Sequence, residues 1–539
     1  MKRIRFFKIK ILIALLLTIY FTSVATSPSP NLTEEKLKLT LERLLGTKSI
    51  SDLSNALKSV GAFTSRIDHP VSPIGEIKIL FLRAVTQDQP DWPLSESETL
   101  NFAAKVALFW SRMSNGKMQI TAYISTPHLV DKDLLVSNPK AVAKSLVINS
   151  PLYKTADILV LWHALSGAES GGSGPWSQFI NTTPNNSFPY GGVAVVPAQE
   201  EGASPFGVAV HEIGHSFGLV DLYDTSAAKT SGIGNWGLMG TGNWLQNGQA
   251  PAEPSPWSKK YLGFITPVKL ISETTISFGR EDILEFPAKE SDIEKIDSNK
   301  LAEYFMISYW QPNSYTGEIT VFIEKDSNWS SNTIATSINT NGFNLKGFLV
   351  WHIDEEFFDS NHDGTLNGED ESFYMNIVNA SWKHKLVDVV CADTTGGIDD
   401  LDLPFAIYVN RGDAKDLFTD NFSITPKTSP STFSYYNEAN SWVYVNYPNI
   451  SISFKKVVQN NTQAPSKISA RLFGKTLFID YGTQTTATIK ILNLRGETVA
   501  KNLGAAGVCA LPMPTIRPGR YRIIVETNNG KLKRWLIVK

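Results

Sequence analysis

Cysteine is scarce in this sequence: Cys391 and Cys509 are the only two among 539 residues. Small secreted domains whose folds depend on disulfides carry many more cysteines for their size, so a disulfide-based fold is excluded. The two cysteines lie far apart along the chain, and we predict that they form no bridge. This pattern is more typical of a protein exported by a bacterium than of a eukaryotic secreted protein.

An excess of charge of either sign is also missing. The chain has 50 Lys and Arg residues against 52 Asp and Glu residues, a net charge of −2. Proteins that bind nucleic acid usually present a basic surface, so the charge balance predicts no nucleic-acid partner. Hydrophobic residues make up 42% of the chain, which is ordinary for a globular protein and excludes a chain that is disordered throughout.

No apolar run long enough to span a membrane follows residue 25. Before it, basic residues at positions 2–10 precede an apolar run at 11–21, and small residues follow at 23–25. This order is typical of a secretory signal peptide, and the apolar run is short for a membrane span. We predict a signal peptide at 1–25, a secreted or cell-surface bacterial protein, and no transmembrane span after its removal. An uncleaved N-terminal anchor is the alternative.

Residues 26–74 form the next segment. They contain a charged run at 32–60 in which leucines recur at helical spacing: Leu37, Leu41, Leu44 and Leu45. A helical segment placed after a signal peptide is often a propeptide, and we interpret residues 26–74 in this way. The alternative is that it forms the first helix of the domain that follows.

Residues 75–265 have the pattern of a domain with a mixed sheet. A helix is predicted at 95–115, with Ser95 as its N-cap. Apolar or alternating runs predict strands at 77–82, 118–124, 158–163 and 193–197. Strands interleaved with helices predict a mixed sheet backed by helices.

From residue 266 the chain becomes rich in β-structure. Short β-type segments alternate with polar turns in the extension 266–457, and a polar stretch at 458–464 resembles a linker. Residues 466–539 predict a small β-sandwich whose last two strands are joined by a hairpin turn at 528–530. The whole chain is therefore predicted to be an α+β protein with roughly three or four domains.

The segment 208–221 carries the clearest chemical motif. His211 and His215 are four residues apart, which on a helix places both imidazoles on one face where they can share a metal. Glu212, next to the first histidine, can reach a water at that metal without binding the metal itself. The spacing therefore predicts a catalytic zinc site with Glu212 as its general base.

A third ligand has to come from the residues after the helix. Gly218 permits the helix to end and the chain to turn, so that Asp221 can return to the same metal and leave a fourth position open. Asp224, about one helical turn further on, and the more distant Glu253 are the alternatives. We predict His211, His215 and Asp221 as the zinc ligands.

The spacing His211-Glu-x-x-His215-x-x-Gly218-x-x-Asp221 resembles the pattern of the immune-inhibitor-A-type zinc metallopeptidases, which has Asp where the wider metzincin group has a third histidine. The resemblance extends over about 77–453. Further similar segments are the Met-turn-like 237–240, the Trp-x-Lys-x-x-Leu-Gly segment within 255–263, the strand and loop at 162–169, and the later strand at 347–355. One departure is Gln178, which follows Trp176 and Ser177 where the family often has a histidine.

The resemblance implies a metzincin-like zinc protease domain that hydrolyses peptide bonds of extracellular proteins. Glu212 would take a proton from the attacking water and deliver it to the leaving amine. Tyr223 and His163 are candidate donors to the oxyanion, although either side chain can instead be structural. The alternative function is a secreted binding or adhesin module on a catalytically silent protease fold, against which the retained Glu212 argues.

A second metal-binding motif lies at 359–370. Oxygen-bearing side chains occupy the positions of an EF-hand loop, and Gly364 stands at the sixth position, where such loops turn sharply. The segment resembles the calcium loops of EF-hands and of dockerins. The predicted calcium ligands are Asp359, Asn361, Asp363, Thr365 through its carbonyl oxygen, Asn367 and Asp370. A plain acidic turn is the alternative, and the acidic run at 388–402 matches no such template.

The C-terminal unit has a weaker pattern. Its strand-like segments at 488–496 and 518–525, and the strand that ends the chain, resemble the C-terminal sorting domains of the type IX secretion route. The resemblance implies that residues 466–539 are recognised by secretion machinery. A β-sandwich that stabilises the enzyme or binds carbohydrate is the alternative.

Overall fold

The computed structural model describes residues 70–457, apart from gaps at 226–229, 368, 371, 373–375, 380, 382–383, 394–399, 403–410, 427, 433 and 437–438, and the strands between 469 and 538. The predicted signal peptide, and all of the predicted propeptide before residue 70, lie outside the described residues. The chain divides into two compact units, 1–457 and 458–539, which are described separately.

Seven α-helices are described in the first unit. Their bounds are α1 (Glu96–Met113), α2 (Lys132–Ser137), α3 (Pro139–Ile148), α4 (Phe206–Ser216), α5 (Pro256–Tyr261), α6 (Asp292–Asp297) and α7 (Glu355–Phe358).

The described strands of the first unit belong to three sheets. Their bounds are β1 (Gly75–Val85), β2 (Met118–Ile124), β3 (His128–Leu129), β4 (Ile158–Ser166), β5 (Gln178–Asn181), β6 (Gly192–Gln199), β7 (Val268–Lys269), β8 (Thr274–Ser277), β9 (Leu284–Pro287), β10 (Glu303–Trp310), β11 (Asn313–Lys325), β12 (Asn328–Thr340), β13 (Gly347–Asp354), β14 (Val387–Val390), β15 (Asn421–Ile424), β16 (Ala439–Asn446) and β17 (Asn449–Val457).

The largest sheet has eight strands in the order β12-β11-β2-β1-β4-β6-β5, with β3 paired to β1 beside that path. Its central strands β11, β2, β1, β4 and β6 are parallel, whereas β12 and β5 are antiparallel to their neighbours. Central parallel strands are covered on both faces, which explains the nearly continuous apolar sequence of β1 and β4. The predicted mixed sheet is therefore present.

The hairpin of β11 and β12 was predicted to lie in the β-rich extension, yet it belongs to this same sheet. Each of its strands has 13 residues, and β11 pairs with β2 through Val321, which lies opposite Ala122. The sheet is thus built from both sides of the predicted boundary at residue 265. The sequence of a hairpin does not specify which distant strand its edge will join.

Helix α1 covers one face of this sheet. Its N-cap Ser95 accepts a hydrogen bond from the Glu98 amide (3.2 Å), and the Glu98 carboxylate accepts one from the Ser95 amide (2.9 Å). This capping box confirms Ser95 as the N-cap and stabilises the helix by about 1 kcal/mol. The buried face of α1 then packs against α4, with the Trp110 and Phe217 ring centroids 5.0 Å apart.

A glycine lies at the close contact between α1 and α4. A Cβ placed on Gly214 would lie 3.3 Å from the Trp110 ring and 3.0 Å from the Met239 sulfur atom. A larger residue at position 214 would require the Trp110 or Met239 side chain to shift by a few tenths of an ångström. Gly214 therefore permits the close approach of the helix that carries the two motif histidines.

Two further sheets form a β-sandwich. One has the order β14-β13-β10-β9-β7 and the other β15-β16-β17-β8. Alternate residues of β13 point to opposite faces: Phe348 and Val350 pack into the core between these two sheets, whereas Leu349, Trp351 and Ile353 join the core that contains α1 and α4. The five-stranded sheet thus connects the sandwich to the motif helix.

The second unit is described only by its strands. One sheet has the order β18-β19-β22 and the other β21-β20-β23-β24. Their bounds are β18 (Ser469–Phe473), β19 (Thr476–Asp480), β20 (Ala487–Leu492), β21 (Thr498–Gly504), β22 (Val508–Pro512), β23 (Gly519–Thr527) and β24 (Gly530–Val538). Strands β23 and β24 pair antiparallel, whereas residues 528–529 of the predicted turn lie outside the described residues.

The described part of the chain contains no candidate membrane span. None of its helices combines the length and the apolar character that crossing a bilayer requires.

Candidate active site

Helix α4 places His211, Glu212 and His215 in the interior of the first unit. All three side chains have no exposed surface. The two imidazole centroids are 5.0 Å apart and their planes are nearly perpendicular, at 85°. One helical turn separates the two residues, so this closeness follows directly from helix geometry.

The chain reverses direction directly after α4. The helix ends at Ser216, and Gly218 has a φ of +93°, in the left-handed region that favours glycine. The reversal returns Asp221 to the histidines, with Oδ1 3.1 Å from Nε2 of His211 and 3.6 Å from Nε2 of His215. The three predicted zinc ligands therefore meet at one point.

Backbone carbonyl groups orient both imidazole rings. Nδ1 of His211 lies 2.9 Å from the Leu238 carbonyl oxygen, and Nδ1 of His215 lies 2.7 Å from that of Leu219. A carbonyl oxygen only accepts, so each Nδ1 carries the proton and each Nε2 presents its lone pair. Leu238 belongs to the predicted Met-turn-like segment, which thus holds the first histidine.

The ligand atoms at this point suit a divalent metal. Nε2 of His211, Nε2 of His215 and Oδ1 of Asp221 are buried and form no hydrogen bond within the described residues; the 3.1 Å contact lacks hydrogen-bond geometry. Buried polar atoms nearly always have a partner. In the described part of the chain, only these three residues form a group of three or more His, Cys, Asp or Glu side chains that could hold one ion. Two imidazoles and one carboxylate are a donor set typical of zinc.

For both histidines, burial lowers the pKa and the Asp221 carboxylate raises it. Burial lowers the pKa of His215 to about 4, and the nearby Asp221 carboxylate only partly opposes this effect. Burial also lowers the pKa of His211, but the contact with Asp221 and the charge of Glu212 raise it more, so the net direction is upward. His215 is therefore neutral at physiological pH and offers its Nε2 lone pair.

Tyr223 lies close enough to respond to the charges of this site. Burial is the largest cause that raises its pKa well above the ordinary value, followed by the charges of Asp221 and Glu212. The hydroxyl group of a tyrosine is protonated at neutral pH already at its ordinary pKa, and this shift strengthens that state. The Tyr223 hydroxyl forms a hydrogen bond with Asp221, which also contributes to the raised pKa, so the predicted donor to the oxyanion lies beside the third ligand.

The two alternative third ligands are not part of this group. Asp224 is buried but is not one of the three clustered ligands. Glu253 accepts hydrogen bonds from Lys259 (2.6 Å), Asn313 (2.8 Å), Tyr315 (2.8 Å) and Thr340 (2.9 Å). Burial raises its pKa, but Lys259 and these donors lower the pKa to about 2. Its carboxylate is therefore committed to a different network.

His163 lies within β4 and is fully buried. Its Nδ1 lies 3.1 Å from the Leu165 carbonyl oxygen, and burial lowers its pKa to about 3. A Cβ placed on Gly174 would lie 2.7 Å from the ring, so the glycine-rich loop packs directly against it. His163 is not in the ligand group, and this environment is that of a neutral structural histidine.

One residue of the site was missed by the sequence reasoning. Asn376 forms two hydrogen bonds with Asp221, one to its backbone amide (2.7 Å) and one to its carboxylate (2.6 Å). It lies 155 residues further along the chain, outside every motif that the sequence contains. No periodicity or spacing could have indicated it.

The side chains of the predicted calcium loop form hydrogen bonds with backbone amides of the same loop. Asp359 accepts hydrogen bonds from the amides of Asp363 (3.2 Å) and Gly364 (3.0 Å), and Asp370 accepts from those of Ser360 (2.8 Å) and Asn367 (3.0 Å). Other loop oxygens do the same: Asn361 Oδ1 accepts from the Asp363 amide, and Asp363 Oδ1 accepts from the Thr365 amide. Within the described residues, the loop's carboxylates do not gather closely enough to form an ion-holding group.

A motif helix with two histidines, an adjacent glutamate and a returning aspartate defines the class of metal-dependent hydrolases. Residues 162–265 match the family model described as the immune inhibitor A peptidase M6, catalytic domain. The match contains His211, His215, Glu212 and Asp221, and it supports a metallopeptidase. It is shorter than the segment over which the sequence resemblance was seen.

Two curated relatives are also metalloproteases by their description. The pre-pro-metalloprotease PrtV of two strains of Vibrio cholerae serotype O1 is 30% identical to this chain over 126 residues. The matching part covers 20% of this chain and 14% of the length of those relatives. The similarity supports a metalloprotease domain within this chain.

Similarity to solved structures is weak. A protein from Bacteroides vulgatus with an immunoglobulin-like β-sandwich fold is 15% identical, with a TM-score of 0.13, over 13% of this chain and 83% of its own. The β-glucuronidase of Ruminococcus gnavus is 9% identical, with a TM-score of 0.10, over 51% of this chain and 46% of its own. Neither similarity carries an argument about fold or function.

Proposed function

We propose that this protein is a zinc-dependent endopeptidase whose metal is held by His211, His215 and Asp221. The observation that supports it most directly is the meeting of three buried ligand atoms that have no hydrogen-bond partner in the described structure. They lie inside the segment that matches a metallopeptidase catalytic domain. Zinc bound there supplies Lewis acidity that activates both water and the substrate carbonyl group.

Glu212 acts as the proton carrier in this proposal. It follows the first ligand on α4 and is buried with it. Its carboxylate takes a proton from the attacking water and passes it to the amine nitrogen of the leaving peptide. Because Glu212 belongs to the same helix as both histidines, its distance from the ligands is set by a rigid element.

Tyr223 acts as the hydrogen-bond donor to the oxygen of the scissile carbonyl. Its hydroxyl hydrogen-bonds to Asp221, and the charges of Asp221 and Glu212 that raise its pKa indicate its closeness to the site. A donor aimed at an oxyanion contributes about 3 kcal/mol to transition-state stabilisation in proteases.

The setting of the enzyme is part of the proposal. The signal peptide at 1–25, the propeptide at 26–74 and the sorting unit at 466–539 favour a bacterial protein that is secreted or held at the cell surface. Its substrates would then be extracellular proteins, and the sorting unit would be recognised by secretion machinery. Val71, in the last part of the predicted propeptide, donates a backbone hydrogen bond to Ser216 at the end of α4 (2.8 Å).

Calcium binding by the loop at 359–370 is a second, structural part of the proposal. The oxygen-bearing residues at its EF-hand positions and the left-handed turn at Gly364 (φ +82°) support it. The bound ion would order an exposed loop rather than take part in peptide hydrolysis.

The proposed activity is tested by hydrolysis of casein by the full chain. We expect hydrolysis to stop when a zinc chelator is added and to return when zinc is restored. Binding of one zinc per chain, measured on the purified protein, is the accompanying expectation. A chain that holds no zinc, or that cleaves casein equally well with the chelator present, would contradict the proposal. Zinc binding without any cleavage of protein substrates would favour the binding module.

A further inference from the structure

Asp221 needs support that the motif helix does not supply. It lies beyond the end of α4, in a stretch of irregular structure, whereas His211 and His215 are held by a rigid helix and by backbone carbonyl groups. A carboxylate has two equivalent oxygens and rotates freely unless one of them is bound. Only Oδ1 of Asp221 faces the histidines, so something must hold Oδ2.

Asn376 holds Oδ2. Its Nδ2 donates to Asp221 Oδ2 at 2.6 Å, and its Oδ1 accepts from the Asp221 backbone amide at 2.7 Å. The orientation of the amide is unambiguous, because a carboxylate only accepts and a backbone N–H only donates. The two bonds fix both the backbone and the carboxylate plane of Asp221.

Asn376 is itself tightly held. Its side chain is 3% exposed and its φ of +52° lies in the left-handed region, which asparagine tolerates better than most residues. Its carbonyl oxygen accepts a hydrogen bond from Thr225 Oγ1 (2.5 Å). Three residues further on, Asn379 Nδ2 donates to the carbonyl oxygens of Leu222 (2.9 Å) and Val387 (2.7 Å). Both asparagines therefore form hydrogen bonds with the stretch from 221 to 225.

We propose that Asn376 is the positioning residue of the third metal ligand, so that the segment around 376–379 completes a site whose ligands lie within 211–221. This inference rests on the proposed metal site. It implies that the segment 162–265, which matches the catalytic-domain family, does not orient its own aspartate alone: Tyr223 within it hydrogen-bonds to Asp221, and Asn376 outside it supplies two further hydrogen bonds. Outer partners of metal ligands typically contribute a factor of about 10 to 100 in metal affinity, and we expect a loss of this size without Asn376.

The variant Asn376→Gly tests the inference in the full chain. Glycine adopts a positive φ without strain, so the variant removes the side chain and spares the backbone. We expect zinc affinity, measured by competition with a chromogenic chelator, to fall by about 10-fold or more. The absorption bands of the Co²⁺-loaded protein should also change, because they report the arrangement of the ligands.

Two control variants separate positioning from general stability. Asn299→Gly changes an exposed asparagine with a similar φ of +55° and should leave zinc affinity and the Co²⁺ bands as in the wild type. Asn379→Ala removes hydrogen bonds from the same segment but none to the Asp221 carboxylate. It should lower the melting temperature of the metal-free protein. Its loss of zinc affinity should be smaller than that of Asn376→Gly.

Wild-type zinc affinity and unchanged Co²⁺ bands in Asn376→Gly would overturn the inference, as would an equal loss of affinity in Asn379→Ala. If Asn376→Gly does not fold, Asn376→Asp keeps the size and the acceptor of the asparagine and replaces the Nδ2 donor by an oxygen that repels the Asp221 carboxylate. Its Co²⁺ bands should differ from those of the wild type, and identical bands would overturn the inference. A wild-type chain that binds no zinc would instead contradict the proposed function itself.

Discussion

The motif at 211–221 and the loop at 359–370 were both predicted from spacing, but their ligand atoms differ in their hydrogen-bond partners. In the first, three ligand atoms are fully buried and have no hydrogen-bond partner among the described residues. In the second, loop carboxylates such as those of Asp359 and Asp370 accept hydrogen bonds from amides of their own loop. An ion at the first arrangement would satisfy buried polar atoms, whereas in the second the amides of the loop already bond to its carboxylates.

This difference teaches that the spacing of ligand residues alone does not show how strongly a site depends on its ion. Oxygens that are already bonded to the backbone lose those bonds in part when an ion binds. The Nε2 atoms of His211 and His215 have no hydrogen bond within the described residues that an ion would have to replace. The predicted consequences for the two sites therefore differ in size, and each can be measured.

The largest effect is expected for Glu212→Ala. Removal of the proton carrier should lower the rate of casein hydrolysis by about 10²- to 10⁴-fold, the usual contribution of a general base. Zinc content should stay at the wild-type level, because Glu212 is not one of the three clustered ligands. Glu318→Ala, at an exposed position of β11, is the control and should keep full activity. Substantial activity in the Glu212 variant would refute its assigned role.

A smaller effect concerns the stability of the fold at low pH. Burial holds the pKa of His163 at about 3, against about 6.5 in an unfolded chain. The unfolded chain therefore binds the additional proton as the pH falls below 6.5, and stability decreases from there down to about pH 3 by up to about 1.4 kcal/mol per pH unit.

The variant His163→Gln isolates this contribution. In urea unfolding at pH 6.5 and pH 5, it should lose less stability between the two pH values than the wild type does. The exposed His362, in the predicted calcium loop, provides the control His362→Gln, which should behave as the wild type does. Equal losses in His163→Gln and the wild type would show that His163 is not held neutral by burial.

The smallest effect is expected at the calcium loop. Asp363→Ala should lower the melting temperature when calcium is present and leave it unchanged when calcium is absent, because the exposed Asp363 side chain bonds mainly within its own loop. Asp91→Ala, also at an exposed position, should show no dependence on calcium. If calcium does not raise the melting temperature of the wild type, the loop is a plain acidic turn.

The sequence by itself determined the features that arise within one helix or one strand. Two histidines four residues apart on α4 share a face because the helix has 3.6 residues per turn, and Ser95 caps α1 because Glu98 lies three residues after it. Strand β2 (Met118–Ile124) follows from its alternating pattern. These features depend on local backbone geometry, which the order of residues specifies directly.

The tertiary structure alone decided which distant groups meet. Asp221 joined the histidines while Glu253 entered a network with Lys259, although either carboxylate could be proposed from spacing. Packing brought Asn376 to Asp221 across 155 residues and attached the hairpin of β11 and β12 to β2. Such contacts depend on how whole elements pack against one another. The free energy of that packing is spread over many residues, so no short motif specifies it.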